Sequence, residues 1–234
     1  MKKIHINSFE QFNTAISVFN KNNNFLFRGQ NNASFKLIPK IGRGKYDLVL
    51  KDNKKLNESL IFASWKRYAI NFTTNKPENN WDWLALAQHH GLATRLLDWT
   101  KNPLVALFFS TIGNEGNVDG AVYVFENKHI VLHENVEPFD INFSSVYYPK
   151  GITSRILSQR GVFSISHKPN VPLEELIDGD NLFTKIIIKK EAIKEIIRTL
   201  EFYGLNELSI YQDLDNLSAY LNRFLENFKE LPPA

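Results

Sequence analysis

The chain has 234 residues, with 28 basic and 25 acidic side chains, a net charge of +3, and no cysteine. So small an excess does not mark a nucleic-acid binder, and the lack of cysteine excludes disulfides, thiolate nucleophiles and cysteine-based zinc sites. No apolar run approaches the roughly 20 residues of a membrane helix, and the opening MKKIHINSFEQF lacks the apolar stretch of a secretory signal. A cytoplasmic protein without membrane contact is therefore expected, and the abundance of Asn, Lys, Ile and Phe reads as the codon bias of an AT-rich bacterial or phage genome.

Ser8, followed three residues later by Gln11, predicts a capping box for a helix to about Asn20, ended by Asn22-Asn23-Asn24. Phe25-Leu26-Phe27-Arg28-Gly29-Gln30 reads as a short buried strand closing in a glycine turn. Residues 31–54, with Pro39, Gly42 and Gly44, have no clear period and read as loop. Leu60, Ile61, Trp65, Tyr68 and Phe72 recur at helical spacing, for a helix that stops before Pro77. Asn80 or Asp82 should cap a helix from about Trp81 to His90, with Gly91 just past its end. Thr94 to Thr100 reads as a connection. It leads into the apolar helix Pro103–Thr111, where Pro103 stands at or near the first position and its missing N–H costs nothing.

A loop rich in Gly, Asn and Asp leads to a strand over Gly120–Glu126. His129–Pro149 leans towards β structure without a period, and Ser154–Gln159 reads as a short helix or turn. Val162–Ser166 and Phe183–Lys189 read as strands, Glu191–Tyr203 and Leu214–Phe228 as helices, before Pro232 and Pro233. Strands scattered among helices without a regular βαβ beat predict an α+β fold. We expect one domain over residues 1–234, with a small mixed or antiparallel sheet flanked by helices.

Four segments concentrate reactive groups. Arg28 is expected at a strand end, beside a glycine that lets a ligand approach. Its fork suits a phosphate or carboxylate, and equally a structural pairing with an internal acid such as Asp98. Gln88 to Thr100 packs polar groups between two apolar helices, at a cost unless they bond one another or a ligand. Within it His89 can act as acid, base or neutral donor near neutral pH, and Arg95 with Asp98 can form a buried pair that shapes the segment. The alternative is a polar connector fastening two helices. Gln159, within Arg155 to Ser164, stands before a strand and is a weak signal alone. Asp213 and Asp215 are accounted for as helix caps and fall short of a metal site. The sequence contains no P-loop, GxGxxG, HExxH or GxSxG, and no metal is expected.

Phe27-Arg28-Gly29 and Gln88-His89-x-Gly91-Leu92-x-Thr94-Arg95-Leu96-Leu97-Asp98-Trp99-Thr100 together resemble the FRG-domain family. Arg155-Ile156-x-x-Gln159-x-Gly161-x-Phe163 and Gly204-Leu205 through Asp213-Leu214-Asp215 extend the likeness over roughly residues 25 to 220. His90 stands where the family tends to have Tyr, Ala93 where it has Pro, and Gln212 and Asn216 replace a Pro and a Gly; no charged motif residue is lost. The resemblance implies a bacterial or phage-borne protein of mobile or defence-related neighbourhoods. A toxin or phage-defence role would follow, with a nucleic-acid or protein acceptor and an antitoxin or defence partner.

The element order is also similar to that of ADP-ribosyltransferases, NAD-using enzymes that open on a strand ending in Arg-Gly or His-Gly. That likeness implies NAD as cofactor, held by Arg28, Gly29, Gln30, Thr94 and Arg95, with Trp99 or Phe163 stacked on nicotinamide. Gln159, His89 and Asp98 would be the catalytic groups. Gln159 departs from the glutamate that polarises the ribose hydroxyl in those enzymes, since it only hydrogen-bonds. The alternative is a non-catalytic module that binds a nucleotide or nucleic acid through Arg28 and Arg95, with aromatic residues stacking on bases. A metal nuclease ranks last, because no carboxylate cluster converges in the sequence.

Overall fold

A computed structural model describes residues 1–20, 24–46, 57–127, 136–149, 161–177 and 182–227. The helix or turn expected over Ser154–Gln159, and Gln159 itself, lie outside the described residues. Within them the fold is α+β, as expected, with seven strands in one mixed sheet that does not close into a barrel and eight helices. The sheet is larger than the small one expected. No described helix is long and apolar enough to cross a membrane.

The strands are β1 (Lys2–Ile6), β2 (Phe25–Gln30), β3 (Leu96–Thr100), β4 (Gly120–Glu126), β5 (Ser145–Tyr147), β6 (Gly161–Ile165) and β7 (Phe183–Ile188), in spatial order β1-β7-β4-β2-β3-β6-β5. Among the described residues only the β1–β7 pair is parallel. The largest departure from the sequence reading is β3, which replaces the expected connection and lies inside the sheet. Leu96 and Thr100 on one face and Leu97 and Trp99 on the other are buried, with Asp98 alone exposed among the five, so the strand shows no period of two.

The helices are α1 (Phe9–Ser17), α2 (Glu58–Ala69), α3 (Asn80–His89), α4 (Pro103–Thr111), α5 (Leu173–Leu176), α6 (Ile193–Phe202), α7 (Glu207–Tyr211) and α8 (Leu214–Asn227). Ser8 caps α1 by accepting from Gln11 N–H at 3.3 Å, and Gln11 Oε1 reaches back to Asn7 N–H at 2.8 Å, one residue before the cap. The cap of α3 is Asn79, not Asn80 or Asp82: its side chain accepts from Asp82 N–H at 2.8 Å. The end of α3 is as expected. Gly91 takes φ 84°, and the N–H groups of Gly91 and Leu92 close on Gln88 O and Ala87 O, both at 3.0 Å.

One face of the sheet is covered in two parts. Helices α1, α4 and α6 lie on Phe27, Val122, Val124, Ile186 and Ile188, while α2 and α3 lie on Leu96, Phe163 and Ile165. On the other face Leu26, Trp99, Tyr123 and Phe125 pack beneath Leu37 and Leu173. The Gly29 backbone is no turn. It continues β2, and a Cβ there would fall 2.0 Å from Ala106 O, so the missing side chain lets α4 lie directly on the strand.

Candidate functional site

The β2–β4 ladder has six residue pairs and the β3–β6 ladder five, but β2 and β3 pair only at Phe27–Thr100. Beyond that pair the two strands part. Above the opening, the C-terminal end of α3 faces α4, and the space between them is a cleft of about 430 Å³. Its walls include Arg28, Arg43, Gln88, His89, Asp98 and Phe109.

Arg28 bridges the parted strands. Its side chain is 14% exposed, and Nη1 donates to Asp98 O at 2.7 Å and lies 3.5 Å from Asp98 Oδ2. Its Nε is buried and has no hydrogen-bond partner among the described residues. Burial holds the guanidinium below its ordinary pKa; Asp98 opposes that shift and Arg43, a second cation on the same cleft, adds to it. The charge is thus held away from water and only partly neutralised.

Asp98 is oriented by a chain of donors. Leu96 N–H donates to Thr94 Oγ1 at 3.1 Å, so the Thr94 hydroxyl proton turns to Gln88 Oε1 at 2.6 Å. That fixes the Gln88 amide with its nitrogen towards Asp98 Oδ2, at 3.0 Å. The Asp98 carboxylate is nevertheless 57% exposed, so it is no buried counterion. Asp98→Asn should therefore lower stability by less than about 1 kcal/mol, as for an exposed ion pair. A drop of several degrees in melting temperature would show that the bond to Arg28 holds the fold.

The expected Arg95–Asp98 pair does not form. Arg95 instead donates from Nε at 2.9 Å and Nη2 at 2.8 Å to Glu58 Oε2, and its backbone N–H meets Glu58 Oε1 at 3.1 Å. It is absent from the cleft wall, and so is Thr94, which is fully buried behind Gln88. Gln30 lines the cleft and donates from Nε2 to Lys36 O at 3.3 Å. His89 lines it too, its ring edge-on to that of His90 at 4.9 Å. Trp99 and Phe163 border the cleft, with most of each ring buried in the core. Trp99 is 3% exposed, its Nε1–H bonded to Ser164 Oγ at 2.9 Å, and Phe163 packs under α2 and α3.

Four cleft groups escape the sequence reading: Arg43 and Phe35 in a loop without a period, Gln88 as a positioning group, and Phe109 on a helix read only as core. Phe35 is half exposed and Phe109 partly so. The only sequence signal for Arg43 is that it stands between Gly42 and Gly44.

Comparison with protein families finds an FRG domain matching residues 23–117. The matched stretch contains Arg28 and all of Gln88 to Thr100, while the motifs around Gln159 and Asp213 lie beyond it. Neither curated proteins nor solved structures yield a match, so the similarity of element order to ADP-ribosyltransferases gains no structural counterpart.

Proposed function

We propose that this chain, which carries an FRG domain over residues 23–117, uses the cleft to bind a nucleotide through its phosphates, and that the nucleotide is NAD. The observation that carries the reading is Arg28: a guanidinium 14% exposed at the base of the cleft, bonded mainly to a backbone carbonyl, with a second cation beside it. An anion entering the cleft relieves that imbalance, and a guanidinium offers phosphate a planar fork. In the catalytic form of this reading, the bond between the ribose C1′ and nicotinamide breaks with its electron pair leaving on the nicotinamide. An acceptor hydroxyl or amine then closes on C1′ and gives its proton to His89, the base at hand on the cleft wall.

A second reading is a nucleotide-binding module without turnover. It is favoured by the burial of Trp99 and Phe163, the two rings expected to stack on nicotinamide. Calorimetry with NAD and assay of nicotinamide release decide between the two. Wild type should bind NAD; Arg28→Lys keeps the charge but loses the fork, and Arg28→Ala loses both. A charge-assisted bond is worth about 1.5–3 kcal/mol, so the alanine variant should bind roughly 10–100-fold more weakly, with lysine between. Binding without nicotinamide release selects the non-catalytic module. No binding of NAD by folded wild-type protein overturns the NAD assignment.

A further inference from the structure

We infer that Asp98 Oδ1 is the cleft's acceptor for a ribose hydroxyl, so that the site takes ribonucleotides and discriminates against their deoxy counterparts. The inference rests on the reading above, that a nucleotide enters with its phosphates on Arg28.

The two oxygens of Asp98 differ in their surroundings. Oδ2 accepts from Gln88 Nε2 at 3.0 Å and faces Arg28 Nη1 at 3.5 Å. Oδ1 accepts from none of the described groups, although the carboxylate lines the cleft and is 57% exposed. An ionised carboxylate only accepts, so whatever meets Oδ1 must donate, and a phosphate oxygen would be repelled. The ligand must then bring an anionic group to Arg28 and an O–H or N–H close beside it. In a nucleotide the donors nearest the phosphates are the ribose hydroxyls; the amino groups of the base lie farther along. A cleft of about 430 Å³ falls in the range of small-molecule sites.

The orientation of Oδ1 is fixed rather than incidental. With its proton directed by Leu96 N–H, Thr94 holds the Gln88 amide in one sense, and Gln88 holds Oδ2. Gln88 and Thr94 are thus positioning residues, and Asp98 reads the sugar. The same geometry sets the behaviour of Asp98→Asn. Gln88 Nε2–H still demands an oxygen, so the asparagine must turn its own NH₂ to the place of Oδ1, which replaces the acceptor by a donor without changing the shape.

The test is calorimetry with ADP, 2′-deoxy-ADP, 3′-deoxy-ADP and inorganic pyrophosphate, on wild type, Asp98→Ala, Asp98→Asn and Gln88→Met. Wild type should bind ADP roughly tenfold or more tightly than at least one deoxy form, as for a charge-assisted bond, and the weaker one identifies the hydroxyl. Asp98→Ala should bring that ratio to about one while pyrophosphate affinity holds or rises, because the carboxylate no longer competes for Arg28, and Asp98→Asn and Gln88→Met should lower the ratio. If ADP and pyrophosphate bind but the three nucleotides are equal on wild type, the ribose inference fails and the phosphate reading stands. If neither ADP nor pyrophosphate binds, the phosphate reading itself falls and takes the inference with it.

Discussion

Glu58→Ala will destabilise the protein by about 3–5 kcal/mol, the cost of removing one partner of a buried ion pair. Glu58 and Arg95 are 7% and 11% exposed, and the carboxylate takes three donors from one residue, two from the guanidinium and one from the backbone. Phe139 covers the guanidinium at 5.1 Å, which adds to its shelter from water. Without Glu58 the charge has no acid partner among the described residues and must either stay buried or pull the first strand-forming residues of β3 towards solvent. Glu58→Gln should fall between, since it keeps an acceptor for the backbone N–H and loses the charge. Replacing both residues by methionine should recover much of the loss, because no unpaired charge is left behind. Urea denaturation reads all three, and a loss below about 1 kcal/mol for Glu58→Ala would show that Arg95 rehydrates easily.

That prediction differs from the one the sequence suggests, and the difference shows what a linear reading can reach. Polar density between two apolar helices singles out Gln88 to Thr100, and Arg28, His89 and Asp98 do meet in one cleft. The partner of Arg95 is not legible, because Glu58 stands 37 residues away at the first position of α2, where an acid looks like an ordinary helix start. Trp99 looks like a stacking platform, yet its indole N–H is satisfied inside the core by Ser164, a pairing 65 residues long. Local signals fare better for caps. Asn102-Pro103 starts α4 as read, Asn102 accepting from Leu104 N–H at 3.0 Å, and Gly91 ends α3. The parting of β2 from β3, which makes the cleft, has no local signature, since strand pairing is decided by neighbours distant in sequence.

Gly29→Ala should be the second severe change, and it links the fold to the cleft. The new Cβ would lie 2.0 Å from Ala106 O, 2.6 Å from Ser110 N and 2.8 Å from Phe109 C. All three are backbone atoms of α4, so no side-chain rotation relieves the contact and the helix must lift from the strand. Overpacking of this kind costs typically about 1–3 kcal/mol, and a clash with backbone belongs at or above the upper end. The consequence for binding follows from the same geometry, because Val105 and Phe109 of α4 form cleft wall directly above the parted strands. Lifting α4 widens the cleft on the side facing Arg28, so affinity for a bound nucleotide should fall even in the fraction that remains folded. Gly44→Ala is the matched control: a Cβ there meets nothing within 4 Å, and both stability and affinity should hold. Denaturation midpoints for the two variants, with ligand titration of the folded protein, separate packing loss from a general sensitivity to substituted glycine. A Gly29→Ala variant as stable as Gly44→Ala would mean that β2 and α4 do not touch at Gly29, and the close seat of the helix that shapes this wall of the cleft would have to be redrawn.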